Sequence, residues 1–450
     1  MKLIFIAIDT LRADRLGCCG SHRPDISPNI DRLAQNGILF PSLIAENNVT
    51  QSSFVTIMTG KSPHQHGIVN MKPVKIPERL IPLPKVLQKN GYVTAAVDCN
   101  HRITGKPNLW FKRGYRDYLD PSESRNTHLD LPAQEINRLA IPWLKKHKHE
   151  QHFFLFLHYW DPHYPYMPDT EFARWAEETG TSATAKEPPL KKLLREPLWS
   201  FINKYNPQNL NATQIRNRYD AAVKHVDHYI GELLDALSDM GILEETCIIL
   251  TSDHGESLGE HNIYFDHHGL YDTTVRLPLI IHWPNTLPRN RCVTALVQHA
   301  DLFPTILQLA RIRKPRAVGR LDGRSLLPLI QGKQKEIRPF AVSCEANWQL
   351  KRSIRTHRWK LIQSLQRDVY GNPKLELYHL PSDPGETRNV ISRHPNVARA
   401  LQTRMNNWVR GMLRRYRRKD PLSGGIKVSM HRATVAEEEL VKKRLSELGY

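Results

Sequence analysis

Cysteine is scarce in this chain, and so are long apolar runs. Six cysteines occur among 450 residues, and no two of them have the CxxC spacing of a metal or redox motif. We interpret them as reduced thiols and expect a cytoplasmic protein, because disulfides belong to oxidising compartments. Six apolar residues follow Lys2 before Asp9, which is too short a run for a signal peptide or a membrane span. The sequence therefore predicts no transmembrane segment.

Acidic residues are outnumbered by basic ones. The chain has 64 Lys and Arg against 45 Asp and Glu, a formal net charge of +19. This surplus favours anionic partners or substrates, and it does not choose between a nucleic acid, an anionic lipid and a small ester. The basic run from Arg414 to Lys419 is more typical of a solvated helix end, where cations also complement the helix dipole. No nucleic-acid-binding motif is present, and the pattern does not indicate an oligomeric state.

Buried strands that alternate with helices predict an α/β protein. Apolar stretches typical of buried strands occur at residues 2–8, 91–97, 153–159, 246–251 and 278–282. Helical patterns occur between them at residues 30–36, 83–90, 132–146 and 216–239. This order predicts a large doubly wound, mostly parallel sheet with helices on both faces. Functional groups in such a sheet gather beyond the carboxyl ends of the strands.

The length allows one large and one small domain. We expect the catalytic domain at residues 1–335, with a polar, proline-interrupted insertion or lid at about 168–212. Residues 336–450 are expected to form a smaller C-terminal antiparallel α+β subdomain with a basic helix and a tail. Its predicted strands lie at 340–343, 353–354, 359–363 and 375–378, and its helix at 396–416.

Polar residues directly follow two of the predicted strands. Asp9 follows the first strand, and Asp253 and His254 follow the strand at 246–251. A lone Asp after a strand is more typical of a turn, but adjacent Asp and His are a more specific signal. Asp9, Asp253 and His254 together offer two carboxylates, which supply hard oxygens, and one imidazole to a divalent metal ion.

Thr50 stands where a helix is expected to begin, in the stretch 50–60 (TQSSFVTIMTG). A helix N-terminus suits an anion because its backbone N–H groups are free and its dipole is positive there. A hydroxyl at this place can attack a bound phosphate or sulfate, although the ordinary role of such a Thr is to cap the helix. If Asp9, Asp253 and His254 converge on Thr50, a metal ion held there would lower the pKa of its hydroxyl.

Histidines mark two further loops. His163 lies in a proline-flanked loop and can contact a substrate or protonate a leaving group. His158 lies inside a predicted strand and is interpreted as a core residue. The adjacent His267 and His268 can contact the anion or, with less support, a second metal ion, and loop histidines of this kind are also often only solvated.

In the order of its motifs the chain resembles the sulfatase family of the alkaline phosphatase superfamily. The matching stretches are 8–17 (IDTLRADRLG), 27–34 (SPNIDRLA), 58–67 (MTGKSPHQHG), 158–163 (HYWDPH), 252–261 (SDHGESLGEH), 355–361 (RTHRWKL), 376–384 (ELYHLPSDP) and 441–450 (VKKRLSELGY). The resemblance runs nearly from end to end, and it implies an alkaline phosphatase-like fold and an ester-cleaving activity.

The resemblance also implies roles for individual residues. Positions that match metal ligands are Asp9, Asp253, His254 and the nucleophile Thr50. Positions that match or fall near substrate contacts are His163, Asn70, His267 and His268. The implied cofactor is one divalent metal ion (Ca²⁺, Mg²⁺, Mn²⁺ or Zn²⁺), and a second ion has no assignable ligands.

The nucleophile position departs from that of the formylglycine-type sulfatases. Those proteins have Cys or Ser at this place, followed by Pro and Arg where this chain has Ser52 and Phe54. Thr50 cannot become formylglycine because its β-carbon carries a methyl group. Thr10 replaces a second acidic ligand of many sulfatases, so Mn²⁺ or Zn²⁺ fits as well as Ca²⁺.

These observations predict a metal-dependent hydrolase of small anionic esters. Phosphate or phosphonate mono- and diesters are favoured over sulfate esters, through a covalent phospho-enzyme at Thr50. Three alternatives stay open: a sulfatase without formylglycine, a phosphoglycol- or phosphoethanolamine-type transferase, and a noncatalytic family member that binds an anion. The sequence does not indicate the leaving group.

Overall fold

The computed structural model describes residues 1–102, 108–123, 131–181 and 210–425. Its strands are β1 (Lys2–Ile8), β2 (Ile38–Ile44), β3 (Val93–Val97), β4 (Asp117–Leu119), β5 (Phe153–Tyr159), β6 (Thr246–Thr251), β7 (Ser257–Leu258), β8 (Tyr264–Asp266), β9 (Arg276–His282), β10 (Arg291–Cys292), β11 (Val297–Gln298), β12 (Ala341–Glu345), β13 (Lys351–Arg355), β14 (Trp359–Ser364) and β15 (Leu375–His379). Its α-helices are α1 (Pro28–Gln35), α2 (Thr50–Thr59), α3 (Pro63–His66), α4 (Leu83–Lys89), α5 (Ala133–His147), α6 (Thr170–Thr179), α7 (Ala212–Asp239), α8 (Asp272–Val275), α9 (Leu302–Leu309), α10 (Leu327–Ile330) and α11 (Pro395–Tyr416).

A nine-stranded sheet forms the centre of the molecule. Its strand order is β10-β2-β9-β6-β1-β5-β3-β4, and β11 also pairs with β2. Strand β1 pairs in parallel with β5 and β6, whereas β9 is antiparallel to its neighbours β2 and β6. The predicted fold class, a mostly parallel sheet with helices, is confirmed.

Helices cover both faces of this sheet. Alternate side chains of β1 enter two separate cores, with Leu3 and Phe5 on one face and Ile4 and Ile6 on the other. The first core also contains residues of α2, α4 and α9, and the second contains residues of α1, α5 and α7. This burial on both sides explains why β1, β5 and β6 are continuous apolar runs.

A smaller antiparallel sheet follows in the order β12-β13-β14-β15, as predicted. Helix α11 packs on it through Ala398, Leu401 and Met405. The small sheet joins the large one where the Cys344 N–H donates to the Glu46 carbonyl oxygen at 2.9 Å. We propose that the division near residue 335 separates these two units, because β11 belongs to the large sheet and β12 to the small one.

Some sequence predictions differ from the structure or lie beyond it. The strand predicted at 278–282 begins at Arg276 and runs antiparallel, and β2 was not predicted. Of the predicted lid at 168–212, α6 is described, whereas residues 182–209 lie outside the described residues, as do the tail residues 426–450. In the part of the chain that the structure describes, no helix has the length and apolarity needed to cross a bilayer.

Candidate active site

The carboxyl ends of β1 and β6 bring three predicted metal ligands together. Asp9 follows β1, and Asp253 and His254 follow β6, the neighbouring strand. One ligand atom of each lies within 4.8 Å of the others, and all three side chains are fully buried. Gly255 is required next to them, because a Cβ there would lie 2.0 Å from the Thr273 carbonyl oxygen.

Thr50 faces this cluster from the start of α2. Its Oγ1 lies 3.2 Å from His254 Nε2. Val49, rather than Thr50, holds the N-cap position, and no side chain caps the helix. The Thr50 hydroxyl is therefore not used as a cap. It lies beside the three predicted metal ligands, at a helix N-terminus that suits an anion.

The carboxylates of this cluster fit a bound cation. Both oxygens of Asp9 and Oδ2 of Asp253 are buried, and no hydrogen bond reaches them from the described residues. Burial, together with the charge of Asp9, raises the pKa of Asp253. Burial also acts to raise the pKa of Asp9, but the nearby imidazoles outweigh it and bring that pKa below its ordinary value. Buried carboxylates without donors are costly, and a divalent metal ion would satisfy these oxygens.

His158 supports Asp9 from behind. Its Nε2 lies 3.4 Å from Asp9 Oδ2, and its Nδ1 lies 3.0 Å from Asp98 Oδ1. The Tyr118 hydroxyl in turn donates to Asp98 Oδ2 at 2.6 Å. Burial lowers the pKa of His158, but the two carboxylates outweigh it and raise the pKa to about 9. His158 is buried, as expected of a core residue, and its contact with the predicted metal ligand Asp9 was not indicated by the sequence.

This support crosses the sheet strand by strand. The four side chains belong to or directly follow β1, β5, β3 and β4, which are consecutive in the sheet. Only knowledge of that strand order would have revealed the chain of contacts, because the residues are far apart in the sequence.

The residues that replace the formylglycine motif have other contacts. Phe54 packs edge-on against His158, with ring centroids 4.8 Å apart, and the Ser52 hydroxyl donates to the Ile68 carbonyl oxygen at 2.7 Å. Thr10 has a positive φ of 55°, and its hydroxyl donates to the Pro162 carbonyl oxygen at 2.6 Å. Neither position 52 nor position 54 offers a group that could brace an aldehyde hydrate.

Two of the predicted loop histidines lie near the cluster. The ring centroid of His267 is 4.3 Å from that of His254 and 6.5 Å from that of His163. His267 Nδ1 donates to the Asn48 carbonyl oxygen and His163 Nδ1 to the Tyr164 carbonyl oxygen, each at 2.7 Å. These bonds orient both rings. The remaining ring nitrogen of each histidine is Nε2, which does not take part in them.

His268 and Asn70 have local partners instead. His268 Nδ1 bonds the Tyr370 hydroxyl, and its Nε2 lies 3.2 Å from Asp266 Oδ1. Asn70 Oδ1 accepts the Lys72 N–H at 3.1 Å. Asn70 nevertheless borders the start of α2, because its carbonyl oxygen accepts a hydrogen bond from the Gln51 side chain. The structure does not bring the side chains of His268 and Asn70 into contact with the ligand cluster.

One further polar residue of the site was missed from the sequence. The Asn48 side chain donates to the carbonyl oxygens of His267 and Gly269, at 2.7 and 3.1 Å. Its Oδ1 is buried and has no hydrogen-bond partner among the described residues. The only sequence signal was its position, two residues before Thr50.

Comparison with known proteins shows which family the chain resembles along most of its length. The family model named Sulfatase matches residues 2–312, and the model for the C-terminal part of N-sulphoglucosamine sulphohydrolase matches residues 259–411. The chain is 25% identical to N-acetylglucosamine-6-O-sulfatase of Bacteroides thetaiotaomicron, over 87% of this chain and 83% of that protein. It is 27% identical to human iduronate 2-sulfatase, over 70% of each chain.

Solved structures show the same fold. One similar structure contains a protein in complex with its substrate D-glucosamine-2-N,6-O-disulfate, with a TM-score of 0.77 and 22% identity, over 94% of this chain and 99% of that one. The phosphonate monoester hydrolase of Agrobacterium radiobacter has a TM-score of 0.69 and 19% identity, over 96% of this chain and 100% of that one. At these identities the likeness shows the fold alone.

Proposed function

The chain belongs to the sulfatase family of ester hydrolases, and on this premise we propose that it cleaves anionic esters with Thr50 as the nucleophile. The observation that carries this proposal is the 3.2 Å contact of Thr50 Oγ1 with His254 Nε2, beside two buried carboxylates. A capping role would not require such surroundings for a hydroxyl. A noncatalytic anion-binding protein would not require them either.

We propose Asp9, Asp253, His254 and Thr50 as the ligands of one divalent metal ion. The donor set combines oxygens with one imidazole, which suits Mn²⁺ or Zn²⁺ as well as Ca²⁺ or Mg²⁺. Once bound, such an ion supplies Lewis acidity to the ester oxygens and favours ionisation of the Thr50 hydroxyl.

The reaction we propose has two displacements. Thr50 Oγ, whose proton passes to water, forms a bond to phosphorus while the bond to the leaving alcohol oxygen breaks in line with it. That oxygen takes a proton from His163. A water molecule then attacks phosphorus, and the bond to Thr50 breaks. One proton of this water stays on the released phosphate or phosphonate, and the other restores the Thr50 hydroxyl. His163 takes back from water the proton that Thr50 gave up in the first displacement. His267 is proposed to contact the anion, and His268 and Asn70 to act at the edge of the substrate site.

Phosphate and phosphonate esters are the first candidate substrates because of the chemistry of Thr50. Formylglycine releases its sulfate by C–O cleavage from an aldehyde hydrate, and Thr has no such route. Sulfate esters are the second candidate because the named relatives are sulfatases. The comparisons do not favour phosphate or phosphonate over sulfate.

A cytoplasmic location also stays a proposal, supported by six unpaired cysteines.

A panel of aryl esters tests the proposal. Protein stripped of metal and reloaded with each ion is assayed with aryl phosphate, phosphodiester, phosphonate and sulfate. Thr50→Ala should lower kcat by about 10³-fold or more. Thr59→Ala at the far end of α2 should not, because its hydroxyl only bonds the Val55 carbonyl oxygen.

Each alternative function or substrate gives a different result in this panel. Equal turnover of Thr50→Ala and wild type would remove Thr50 as the nucleophile. Sulfate turnover above every phospho-ester would select the second candidate. Faster transfer to an added alcohol than to water would indicate a transferase, and no turnover with no metal uptake would indicate the noncatalytic protein.

A further inference from the structure

Asn48 forms three hydrogen bonds with the loop that carries His267. Its side-chain Nδ2 donates to the carbonyl oxygens of His267 and Gly269, at 2.7 and 3.1 Å. Its backbone carbonyl oxygen accepts from His267 Nδ1 at 2.7 Å. Asn48 is only 1% exposed, so these bonds lie in a buried environment, where hydrogen bonds are stronger than in water. One residue therefore holds both the backbone and the imidazole of His267.

The chemistry of these contacts requires an amide at position 48. An Asn side chain carries two hydrogens on Nδ2, and each of the two carbonyl oxygens accepts one of them. The reversed amide would place Oδ1 against two carbonyl oxygens with no hydrogen between them, so the orientation of the amide follows from its partners. An Ala, Ser or Asp side chain has no atom with two N–H donors.

The contact with Asn48 also determines which nitrogen of His267 is available. A carbonyl oxygen only accepts hydrogen bonds, so Nδ1 must carry a hydrogen whether the ring is neutral or protonated. Nε2 is then the ring nitrogen that can contact a substrate or a water molecule. Asp266 Oδ1 lies 3.7 Å from this Nε2, which is too far for a hydrogen bond.

The same loop is held from its other side by the small sheet and by α8. The Gly269 N–H donates to Oε2 of the fully buried Glu345 at 3.0 Å, and the Thr274 hydroxyl donates to the Gly269 carbonyl oxygen at 2.8 Å. Gly269 has a φ of +80°, and a Cβ there would lie 2.8 Å from the Tyr271 ring. Asn48 supplies the contacts on the side of the loop that faces α2.

Asn48 is also close to Thr50 in the chain. The intervening turn is fixed, because Asn47 Oδ1 accepts the Val49 N–H at 3.1 Å, and Thr50 is the first residue of α2. Loss of the Asn48 side-chain bonds would therefore release the loop of His267 from the segment that carries Thr50.

We propose that Asn48 is a positioning residue, which keeps a hydrogen on His267 Nδ1 and fixes His267 Nε2 relative to the Thr50 hydroxyl. Displacement of an active-site group by about 1 Å can lower a rate by about 100-fold, so contacts of this kind affect turnover. The effect on turnover rests on the function proposed above, whereas the effect on the imidazole does not.

Replacement of Asn48 by Ala tests this role. The protein is loaded with Ca²⁺ or Mg²⁺ and labelled with ¹⁵N in its histidine rings, and the signals of His267 are identified by their loss in His267→Gln. In wild type, NMR should show the hydrogen of the His267 ring on Nδ1. In Asn48→Ala the ring should exchange between its two tautomers. The kcat for the best aryl ester should fall by about 10- to 100-fold, while KM stays close to that of wild type.

Asn137→Ala is the matched control. Asn137 lies on α5, is 2% exposed, and also donates through Nδ2 to a backbone carbonyl oxygen, that of Tyr229, at 2.8 Å. Its replacement removes a buried amide of the same kind from the core on the other face of the sheet. Asn137→Ala should leave both the His267 signals and kcat unchanged.

The ring signals and the kinetics separate the possible failures. A wild-type ring with its hydrogen on Nε2 and none on Nδ1 would overturn the proposal without any substitution. Unchanged His267 signals in Asn48→Ala, or the same change in Asn137→Ala, would also overturn it. So would an unchanged kcat in Asn48→Ala when Thr50→Ala abolishes turnover. Full turnover by Thr50→Ala would instead remove the proposed function, and the ring signals alone would then support or overturn the role of Asn48.

Discussion

Replacing His225 with Gln tests whether a charged imidazole fixes the loop that carries His163. His225 lies on α7 and is fully buried. Its Nδ1 is 2.5 Å from Asp161 Oδ1 and its Nε2 is 3.2 Å from Asp169 Oδ2. Asp161 is two residues from His163, so this contact ties the loop to the long helix behind it.

The magnitude follows from the pKa of His225. Burial lowers this pKa, but Asp161 and Asp169 outweigh burial and raise it from 6.5 to about 9. At about 1.4 kcal/mol for each pKa unit, the charged form contributes on the order of 3 kcal/mol. Because the folded-state pKa is the higher one, this stability is fully present below pH 6.5 and is lost as the pH rises through about 9.

Urea unfolding at a series of pH values measures this contribution. The gap in unfolding free energy between wild type and His225→Gln should shrink by on the order of 3 kcal/mol from about pH 6 to about pH 10. His228→Gln is the matched control, because His228 is exposed on the same helix. A gap that stays constant with pH, or one that the control reproduces, would refute the reasoning.

Three further predictions follow from buried charges. His158→Gln and Asp98→Asn should weaken metal affinity by about 10- to 100-fold in a competition titration with a chelating dye, because His158 pairs with the proposed ligand Asp9 at 3.4 Å and Asp98 pairs with His158 at 3.0 Å. Unchanged affinity would contradict this. Arg338→Met should lower the unfolding free energy by about 3–5 kcal/mol, because it leaves the fully buried Asp301 unpaired. The control Arg399→Met, on the exposed side of α11, should change the unfolding free energy by less than about 0.5 kcal/mol. Equal effects of the two substitutions would count against a buried ion pair. Chelating the metal ion should lower the unfolding free energy at neutral pH by about 3–4 kcal/mol, if the free ion concentration before chelation was about 100 to 1,000 times its Kd. An unchanged melting temperature would speak against a metal ion between the two buried carboxylates.

The sequence predicts those parts of the fold that are buried on both sides. Strands β1, β5 and β6 match their predicted bounds because continuous apolar runs have no other place in a covered sheet. The antiparallel direction of β9 could not be predicted, because an apolar run looks the same in either direction. Strand β2 was missed because Pro41 and a register shift between Phe40 and Leu43 interrupt its pattern.

The same distinction holds for the candidate site. Asp9, Asp253 and His254 could be predicted to meet, because the carboxyl ends of parallel strands share one edge of the sheet. The contact of His158 with Asp9 depends on the order of strands. The contact of His268 with Tyr370 depends on how the small sheet packs against the large domain. The spacing of residues along the sequence predicts neither contact.

Identification of the residue that becomes covalently modified tests the central claim most directly. The metal-loaded protein is mixed with an aryl phosphonate and quenched in acid during turnover, and its peptides are sequenced by mass spectrometry. We expect the phosphonyl group on Thr50, in wild type and in Thr59→Ala, and no adduct in Thr50→Ala. Turnover with an adduct on another residue, or turnover of wild type with no adduct at any time point, would contradict the account.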